Sequence, residues 1–231
     1  MKGSVNTTLT FLTGGRPELA KRTLESLEDF EPGLLEAAHV IVLVNGKDLP
    51  TLKALLDFSQ HFDAVHYTEE MLPVGPATSL LAEEAKNSGK PFWLHLEDDW
   101  LATGDHPDWL AQAQEHLTRF PNVGQVRFRR SSEPTRARHM VTERPVRWDK
   151  SPTVSEHLGE FWTIEDIHWT NNPALMRAEE AFVAWPAAGE MEAQRKWWKA
   201  GYRESVQMVP GVFVHIGEGD LSLRKRTGSP V

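Results

Sequence analysis

Three consecutive acidic residues, Glu97, Asp98 and Asp99, directly follow the apolar segment FWLHL. Such a short apolar run predicts a buried strand, and ligands of parallel sheets gather at the carboxyl ends of the strands. Because side chains alternate along an extended chain, Glu97 and Asp99 are expected to point the same way. Two such carboxylates suit a hard divalent cation, which in turn binds diphosphate oxygens. The alternative is a solvated acidic turn that caps a helix.

The segments that must position these acids alternate between short apolar runs and stretches of helical periodicity. The pattern predicts strands at 5–12, 40–44, 64–67, 91–96, 123–128, 167–170 and 212–215, and helices at 17–27, 49–58, 77–86, 107–117, 177–182 and 191–200. This alternation is typical of an α/β fold with a mostly parallel central sheet flanked by helices. Residues 131–160 have mixed charge, several prolines and little periodicity, and are predicted to form a long loop or flap.

Length and composition limit the classes of protein. The 231 residues fit one domain, and the absence of cysteine excludes disulfides, thiolate metal sites and a cysteine nucleophile. No segment approaches 18 apolar residues, so no integral membrane segment is expected and a cytoplasmic location is the default. The net charge of −8 argues against general affinity for nucleic acid or anionic membranes.

A local basic segment stands against this overall acidity. Seven arginines lie between Arg127 and Arg147, against only two acidic residues, Glu133 and Glu143. Arginine makes bidentate contacts with phosphate, so this segment could embrace a diphosphate or hold an anionic acceptor. A solvated face with compensating carboxylates elsewhere is the alternative.

Residues 75–100 resemble the core of family 2 glycosyltransferases and related GT-A enzymes. The resemblance rests on Gly75, Ala77 and Ser79, then a helix, the buried strand, and Glu97-x-Asp99. Asparagine is usual where this chain has Ser79, and aspartate where it has Glu97. The resemblance implies a single Rossmann-like GT-A domain over 1–231, in which 1–130 bind a nucleotide sugar and 161–231 contain the acceptor side and complete a metal site.

The resemblance also implies a set of donor contacts. It assigns the first loop and the end of the second strand to the nucleoside, and the other residues to the rest of the nucleotide sugar: Thr13, Gly14, Arg16, Asn45, Gly46, Gly75, Ala77, Ser79, Glu97 and Asp98. The family commonly has an aspartate near Asn45, and a neutral amide keeps hydrogen bonding without the charge. Without the resemblance, Gly14-Gly15 and Asn45-Gly46 are turn signals.

Catalytic and metal-binding residues follow from the same resemblance. The layout GEMEAQRKWWKAGYR matches an acidic residue that opens a helix before a Gly-aromatic pair; Glu190 fits best as general base and Glu192 is the second choice. His215, after the last core strand, would complete a Mn²⁺ or Mg²⁺ site with Glu97 and Asp99. The alternatives are exposed carboxylates near a helix N-terminus and a structural histidine.

The acceptor side is the least specified part. The segment WTNNPALMRAEEAF resembles the stretch that positions the acceptor, with Trp169, Asn171 and Asn172 near the sugar. The expected activity is metal-dependent transfer, with inversion, from a nucleotide-diphosphate sugar to a hydroxyl of a glycan, protein, small molecule or modified nucleic-acid base. A sugar-phosphate nucleotidyltransferase and a noncatalytic nucleotide-sugar or glycan-binding module are the alternatives.

Overall fold

The computed structural model describes residues 6–104, 106–130, 148–155, 159–165, 173–201 and 204–217. In the first half, strands and helices alternate as predicted: β1 Thr7–Thr13, α1 Pro17–Phe30, α2 Pro32–Ala37, β2 His39–Val44, α3 Leu49–Leu55, a 3-10 helix Leu56–His61, β3 Ala64–Tyr67, α4 Val74–Asn87, β4 Phe92–Glu97 and β5 Trp100–Ala102. Then follow α5 Trp109–Arg119, β6 Val123–Arg127, β7 Trp148–Ser155, β8 Gly159–Glu165, β9 Ala174–Arg177, α6 Ala178–Ala184, α7 Glu190–Lys199, β10 Glu204–Val209 and β11 Phe213–His215.

The described strands form one nine-stranded sheet in the order β3-β2-β1-β4-β9-β6-β10-β8-β7, and a separate antiparallel pair of β5 and β11. In the large sheet only β9 and β8 run against the other strands. The predicted α/β class with a mostly parallel central sheet is therefore confirmed. The carboxyl ends of β1, β2 and β4 lie side by side, which brings their following loops to one edge.

The sheet is covered on both faces, which explains its nearly continuous apolar strands. Along β2, Val40, Val42 and Val44 pack into one core with α1 and α5, whereas Ile41 and Leu43 pack into a second core with α4, α6 and α7. Full burial of each such side chain contributes about 1.5–3 kcal/mol, before the entropic cost of ordering the chain. The two cores hold these helices in place against the sheet.

The prediction of a loop across 131–160 is wrong for 148–155 and 159–160, where β7 and the start of β8 form an antiparallel pair. β7 is the edge strand of the sheet and contains Pro152, which an edge strand tolerates because one side needs no ladder hydrogen bonds. Its sequence, WDKSPTVS, lacks the apolar run that marks a central strand, and for this reason the strand was predicted as a loop. The strand predicted at 167–170 lies outside the described residues. No helix in the described part of the chain is long and apolar enough to cross a membrane.

Candidate functional site

Asp98 lies beneath the loop that follows β1. Its side chain is fully buried, and Oδ2 accepts a hydrogen bond of 2.8 Å from Thr13 Oγ1. Arg16 is ion-paired with Asp98, and its Nη1 donates to Asp99 Oδ2 at 2.9 Å. Burial raises the pKa of Asp98 to about 6, although Arg16, Thr13 and the backbone N–H of Gly14 favour the charged form. Asp98 thus anchors the first loop, and one guanidinium bridges two acids.

Helix α1 holds the backbone of the acidic turn from the other side. Thr23 Oγ1 donates to Asp98 O at 2.9 Å, and Ser26 Oγ accepts from Ala102 N at 3.0 Å. Both hydroxyls are buried. Each one forms a hydrogen bond with a backbone group that would otherwise be costly to remove from water. The turn between β4 and β5 is therefore fixed by specific side chains of α1.

His215 reaches the same acids through the small β5–β11 pair. It lies opposite Trp100 in the ladder, and Ile216 N donates to Asp99 O at 2.9 Å. His215 Nε2 is 3.5 Å from Asp99 Oδ2, and its ring centroid is 4.7 Å from that of Trp100. A Cβ on Gly217 would come within 2.6 Å of Asp99 Oδ2, so a larger residue would crowd this carboxylate. The structure brings Asp99 and His215 together, and their shared role as metal ligands stays a prediction.

Glu97 occupies the more open end of the cluster, with about a quarter of its side chain exposed. Burial, followed by the neighbouring charges of Asp99, Glu190 and Asp98, raises its pKa to about 8. His95 Nε2 is 4.0 Å from Glu97 Oε1, but burial lowers the pKa of His95 to about 3. This histidine is neutral at pH 7 and offers Glu97 no positive charge, whereas the charge of Arg16 lowers the pKa of Glu97.

The residues suit a divalent cation only in part. Within the described residues, no group of three or more His, Asp or Glu side chains is arranged to hold a metal ion. However, Asp99 Oδ1 is buried without a hydrogen-bond partner in that part of the chain, and Oδ2 faces the imidazole of His215. Carboxylate oxygen and imidazole nitrogen suit Mn²⁺ or Mg²⁺. Asp99 and His215 fit a site whose other ligands come from substrate oxygens.

Glu190 is the first residue of α7 and lies near both Glu97 and the buried Arg127 of β6. The charge of Glu190 raises the pKa of Glu97. Burial and the charge of Arg129 lower the pKa of Arg127 to about 10, and the charge of Glu190 acts in the opposite direction. From the sequence, Arg127 was expected only to be part of the basic segment. An arginine inside the strand VGQVR was the available signal that it is held in the interior.

Glu192 has a different environment from Glu190. Its side chain is exposed, Oε2 accepts a 2.7 Å hydrogen bond from Ala188 N, and Oε1 lies 3.5 Å from Lys196 Nζ. The hydrogen bond from Ala188 N and the charge of Lys196 lower the pKa of Glu192. This carboxylate caps the start of α7, while Glu190 is the one that interacts with the acidic cluster.

The end of β2 packs tightly against the first loop. A Cβ on Gly14 would overlap Asn45 O, and Asn45 N donates to Thr13 O at 2.7 Å. The side chain of Asn45 pairs in both directions with the backbone of Leu72, at 2.8 Å each way, and Gly46 N donates to Thr68 Oγ1 at 2.6 Å. Asn45 therefore shapes the 68–72 segment; its contact with a nucleoside stays a prediction.

The residues predicted on α4 face the loop before α7. Gly75 and Ser79 contact Ala187 and Ala188, and Ala77 is fully buried in the second core. Their contacts with a donor also stay a prediction. Trp169, Asn171 and Asn172, predicted on the acceptor side, lie outside the described residues.

Comparison with known proteins supports the fold. No protein-family model and no curated protein matches the chain. Among solved structures, the chain is similar to the mannosyltransferase PcManGT from Pyrobaculum calidifontis in complex with GDP-Man and Mn²⁺, with a TM-score of 0.60 and 15% identity over 96% of this chain and 61% of that one. It is also similar to TarS 1-349 from S. aureus in complex with UDP-GlcNAc, with a TM-score of 0.60 and 10% identity over 97% and 62%.

A third similar structure is 4-diphosphocytidyl-2C-methyl-D-erythritol synthase, a nucleotidyltransferase, with a TM-score of 0.51 and 13% identity over 95% of this chain and 97% of that one. The chain spans about three fifths of the length of the two glycosyltransferases. At these identities the matches show the fold. The chain has the GT-A fold, in agreement with the resemblance drawn from its motifs.

Proposed function

We propose that this chain transfers a sugar from a nucleotide-diphosphate sugar to an acceptor hydroxyl, with inversion at the anomeric carbon. The observation that carries the proposal is the meeting of Asp99 with His215, and of Glu97 with Glu190, at the carboxyl edge of the sheet in a GT-A fold. In open α/β sheets this edge is where ligands bind. The complexes of similar structures with GDP-Man and UDP-GlcNAc support a nucleotide sugar as donor.

The residues divide the chemistry between two sides of the site. On the donor side, the loops after β1 and β2 would hold the nucleoside, and Arg16 would contact the diphosphate because its guanidinium already lies at Asp99. On the other side, Glu190 would accept the proton of the acceptor hydroxyl as its oxygen attacks the anomeric carbon. The buried guanidinium of Arg127 interacts electrostatically with Glu190 and places a positive charge on this side of the site.

Asp99 and His215 would hold a divalent cation, with Glu97 ligating directly or through water. When bound, such a cation supplies positive charge that offsets the charge developing on the leaving diphosphate. The Mn²⁺ in the PcManGT complex supports a divalent cation; it does not favour Mn²⁺ over Mg²⁺ for this chain.

A sugar-phosphate nucleotidyltransferase is a second candidate, favoured by the match to a synthase that the chain covers almost completely. Such an enzyme would bind a nucleoside triphosphate and a sugar phosphate as substrates, and would release diphosphate and a nucleotide sugar. A noncatalytic module would bind the nucleotide sugar without turnover. Ligand binding distinguishes the nucleotidyltransferase from the glycosyltransferase. Turnover distinguishes the noncatalytic module from both enzymes.

The test is a thermal-shift screen of nucleoside diphosphates, nucleoside triphosphates, sugar phosphates, GDP-mannose and UDP-GlcNAc, each with and without Mn²⁺ or Mg²⁺. A ligand that binds only the folded state raises the melting temperature, by the equivalent of about 2.7 kcal/mol at a hundredfold excess over Kd. We expect a metal-dependent shift with a nucleotide sugar that disappears in Asp99→Asn. Lys21→Gln, on the exposed face of α1, is the control and should keep the shift.

The outcomes are distinct. A shift with a triphosphate and with a sugar phosphate would favour the nucleotidyltransferase, whether or not a nucleotide sugar, its product, also binds. Stabilisation by a nucleotide sugar that Asp99→Asn leaves intact would remove the proposed metal site. No stabilisation by any of these ligands would contradict the proposed donor site altogether.

A further inference from the structure

The loop before α7 contacts the start of α4 more closely than most side chains would permit. A Cβ on Gly75 would overlap Ala188 O and lie 2.5 Å from Ala187 O. These neighbours are backbone atoms, which cannot rotate away as the end of a flexible side chain could. Gly75 is therefore required for the close approach of α4 to this loop.

One turn further along α4, Ser79 joins the same two segments by hydrogen bonds. Its hydroxyl donates to Gly75 O at 2.8 Å and accepts from Ala187 N at 3.3 Å. A hydroxyl has one hydrogen and two lone pairs, so it can make both bonds at once. This single side chain links α4 to the loop at the point where Gly75 allows contact.

The loop is also tied to the helix that follows it. Ala188 N donates to Glu192 Oε2 at 2.7 Å, Lys196 bonds to Pro186 O, and Ala193 N donates to Gly189 O at 3.1 Å. Loop and first turn therefore behave as one unit, and Glu190 is part of that turn. A displacement of the loop at Ala187 moves the carboxylate of Glu190 with it.

We infer that Gly75 and Ser79 are positioning residues, which hold the loop before α7 and thereby set the location of the Glu190 carboxylate. This inference rests on the proposed role of Glu190. It gives Gly75 and Ser79 a different task from the donor contacts that the resemblance implies. The serine at position 79 then matters because a short hydroxyl reaches both Gly75 O and Ala187 N.

The experiment compares Ser79→Ala with Ser79→Thr. Turnover is measured as nucleoside diphosphate released from GDP-mannose or UDP-GlcNAc, whichever stabilises the protein, with water as the acceptor of the sugar. Misplacement of a catalytic group by about 1 Å can cost on the order of a hundredfold in rate. For Ser79→Ala we expect kcat to fall about ten- to a hundredfold, with donor KM and the donor-induced thermal shift within about twofold. Ser79→Thr keeps the hydroxyl and should restore most of kcat.

Thr118→Ala is the matched control, because Thr118 Oγ1 also donates to the carbonyl four residues earlier, Gln114 O at 2.7 Å, but on an exposed face of α5. It should leave kcat unchanged. Amide hydrogen exchange gives a readout independent of activity: Ser79→Ala should accelerate exchange at 187–193, and Thr118→Ala should not. Gly75→Ala should have a larger effect than Ser79→Ala on both measurements; if it fails to fold, the Ser79 pair decides.

Three results would overturn the inference. An increased donor KM with unchanged kcat in Ser79→Ala would make Ser79 a donor contact. Unchanged kcat with only a lower Tm would leave it a packing residue, and unchanged exchange at 187–193 would show that it does not hold the loop. Glu190→Gln, measured in parallel, separates the levels: wild-type turnover there contradicts the proposed base, whereas lost turnover with a normal Ser79→Ala contradicts only the positioning role.

Discussion

The two sides of the site are held by different kinds of interaction. The acidic turn after β4 is fixed by side chains that are charged or hydroxylated, with Arg16, Thr13 and Thr23 all bonded to Asp98. Glu190 is carried instead by α7, whose preceding loop is held by close backbone contact with Gly75 and by one hydrogen bond to the hydroxyl of Ser79. The acidic side should therefore respond to removal of charge and hydrogen bonds, and the Glu190 side to small changes in shape.

The largest expected effect is loss of the proposed base. Glu190→Gln keeps the size of the side chain but cannot accept the acceptor's proton, so turnover should fall about 10²- to 10⁴-fold. The donor-induced thermal shift should persist, because in the proposed mechanism Glu190 acts on the acceptor hydroxyl and does not hold the nucleotide. Turnover and thermal shift are measured on the same preparation. Loss of both together would mean that Glu190 serves donor binding, and the comparison of the two sides would fail.

The next largest effect should come from removing Arg16, whose positively charged guanidinium bridges the acidic turn. Arg16→Gln leaves the buried Asp98 without its ion-pair partner, and breaking a fully buried pair costs about 3–5 kcal/mol. Because about a quarter of the Arg16 side chain is exposed, and Asp98 can take up a proton, we expect a smaller loss of about 2–3 kcal/mol at pH 8. Denaturant unfolding measures it.

The same variant gives a pH dependence with a definite sign. In the wild-type protein the pKa of Asp98 is about 6, and without Arg16 it rises further. Below pH 6 Asp98 is protonated in both folded proteins, so the difference between their stabilities should shrink as pH falls from 8 to 5. Equal losses at both pH values would show that Arg16 acts by packing. Lys21→Gln, which breaks an exposed pair on the same helix, should change stability by less than about 0.5 kcal/mol.

A smaller effect is expected from the hydroxyl of Thr13. Thr13→Val keeps the shape of this buried side chain but removes the hydrogen bond to Asp98, which should cost about 1–2 kcal/mol of unfolding free energy. Thr13→Ser retains the hydroxyl and should lose less. If the two variants are equally stable, the acidic turn does not depend on this hydrogen bond, and the contrast with the Glu190 side becomes weaker.

The sequence predicted the elements that are specified locally. Residues 64–67 form β3 with the predicted bounds, and Pro17 begins α1 as expected of a proline in the first turn of a helix. β10 escaped prediction because its buried Ser205 and Gln207 break the apolar pattern. Gln207 Nε2 donates to Arg129 O and to Met208 O, at 2.9 Å each, and the partner on the neighbouring segment is one that periodicity cannot reveal.

The candidate site was predictable to a similar extent. Asp99 and His215 lie close together because β11, which ends at His215, pairs with β5, which begins directly after Asp99. The bridging position of Arg16 and the contact of Ser79 with Ala187 were not predictable, since both depend on the approach of segments far apart in sequence. Alternation grouped Glu97 with Asp99, but it gave no indication that Asp98 would be fully buried under the first loop.

The smallest effect should come from Glu192, the second candidate base. Glu192→Gln keeps an acceptor for Ala188 N but removes the charge that favours the start of a helix, so a slight fall in melting temperature is expected. Turnover should fall less than tenfold, because Glu190 and the contacts of Ser79 remain in place. A loss as large as that of Glu190→Gln would instead identify Glu192 as the base. In that case α7 would have to turn toward Glu97 a different face from the one that brings Glu190 close to Glu97.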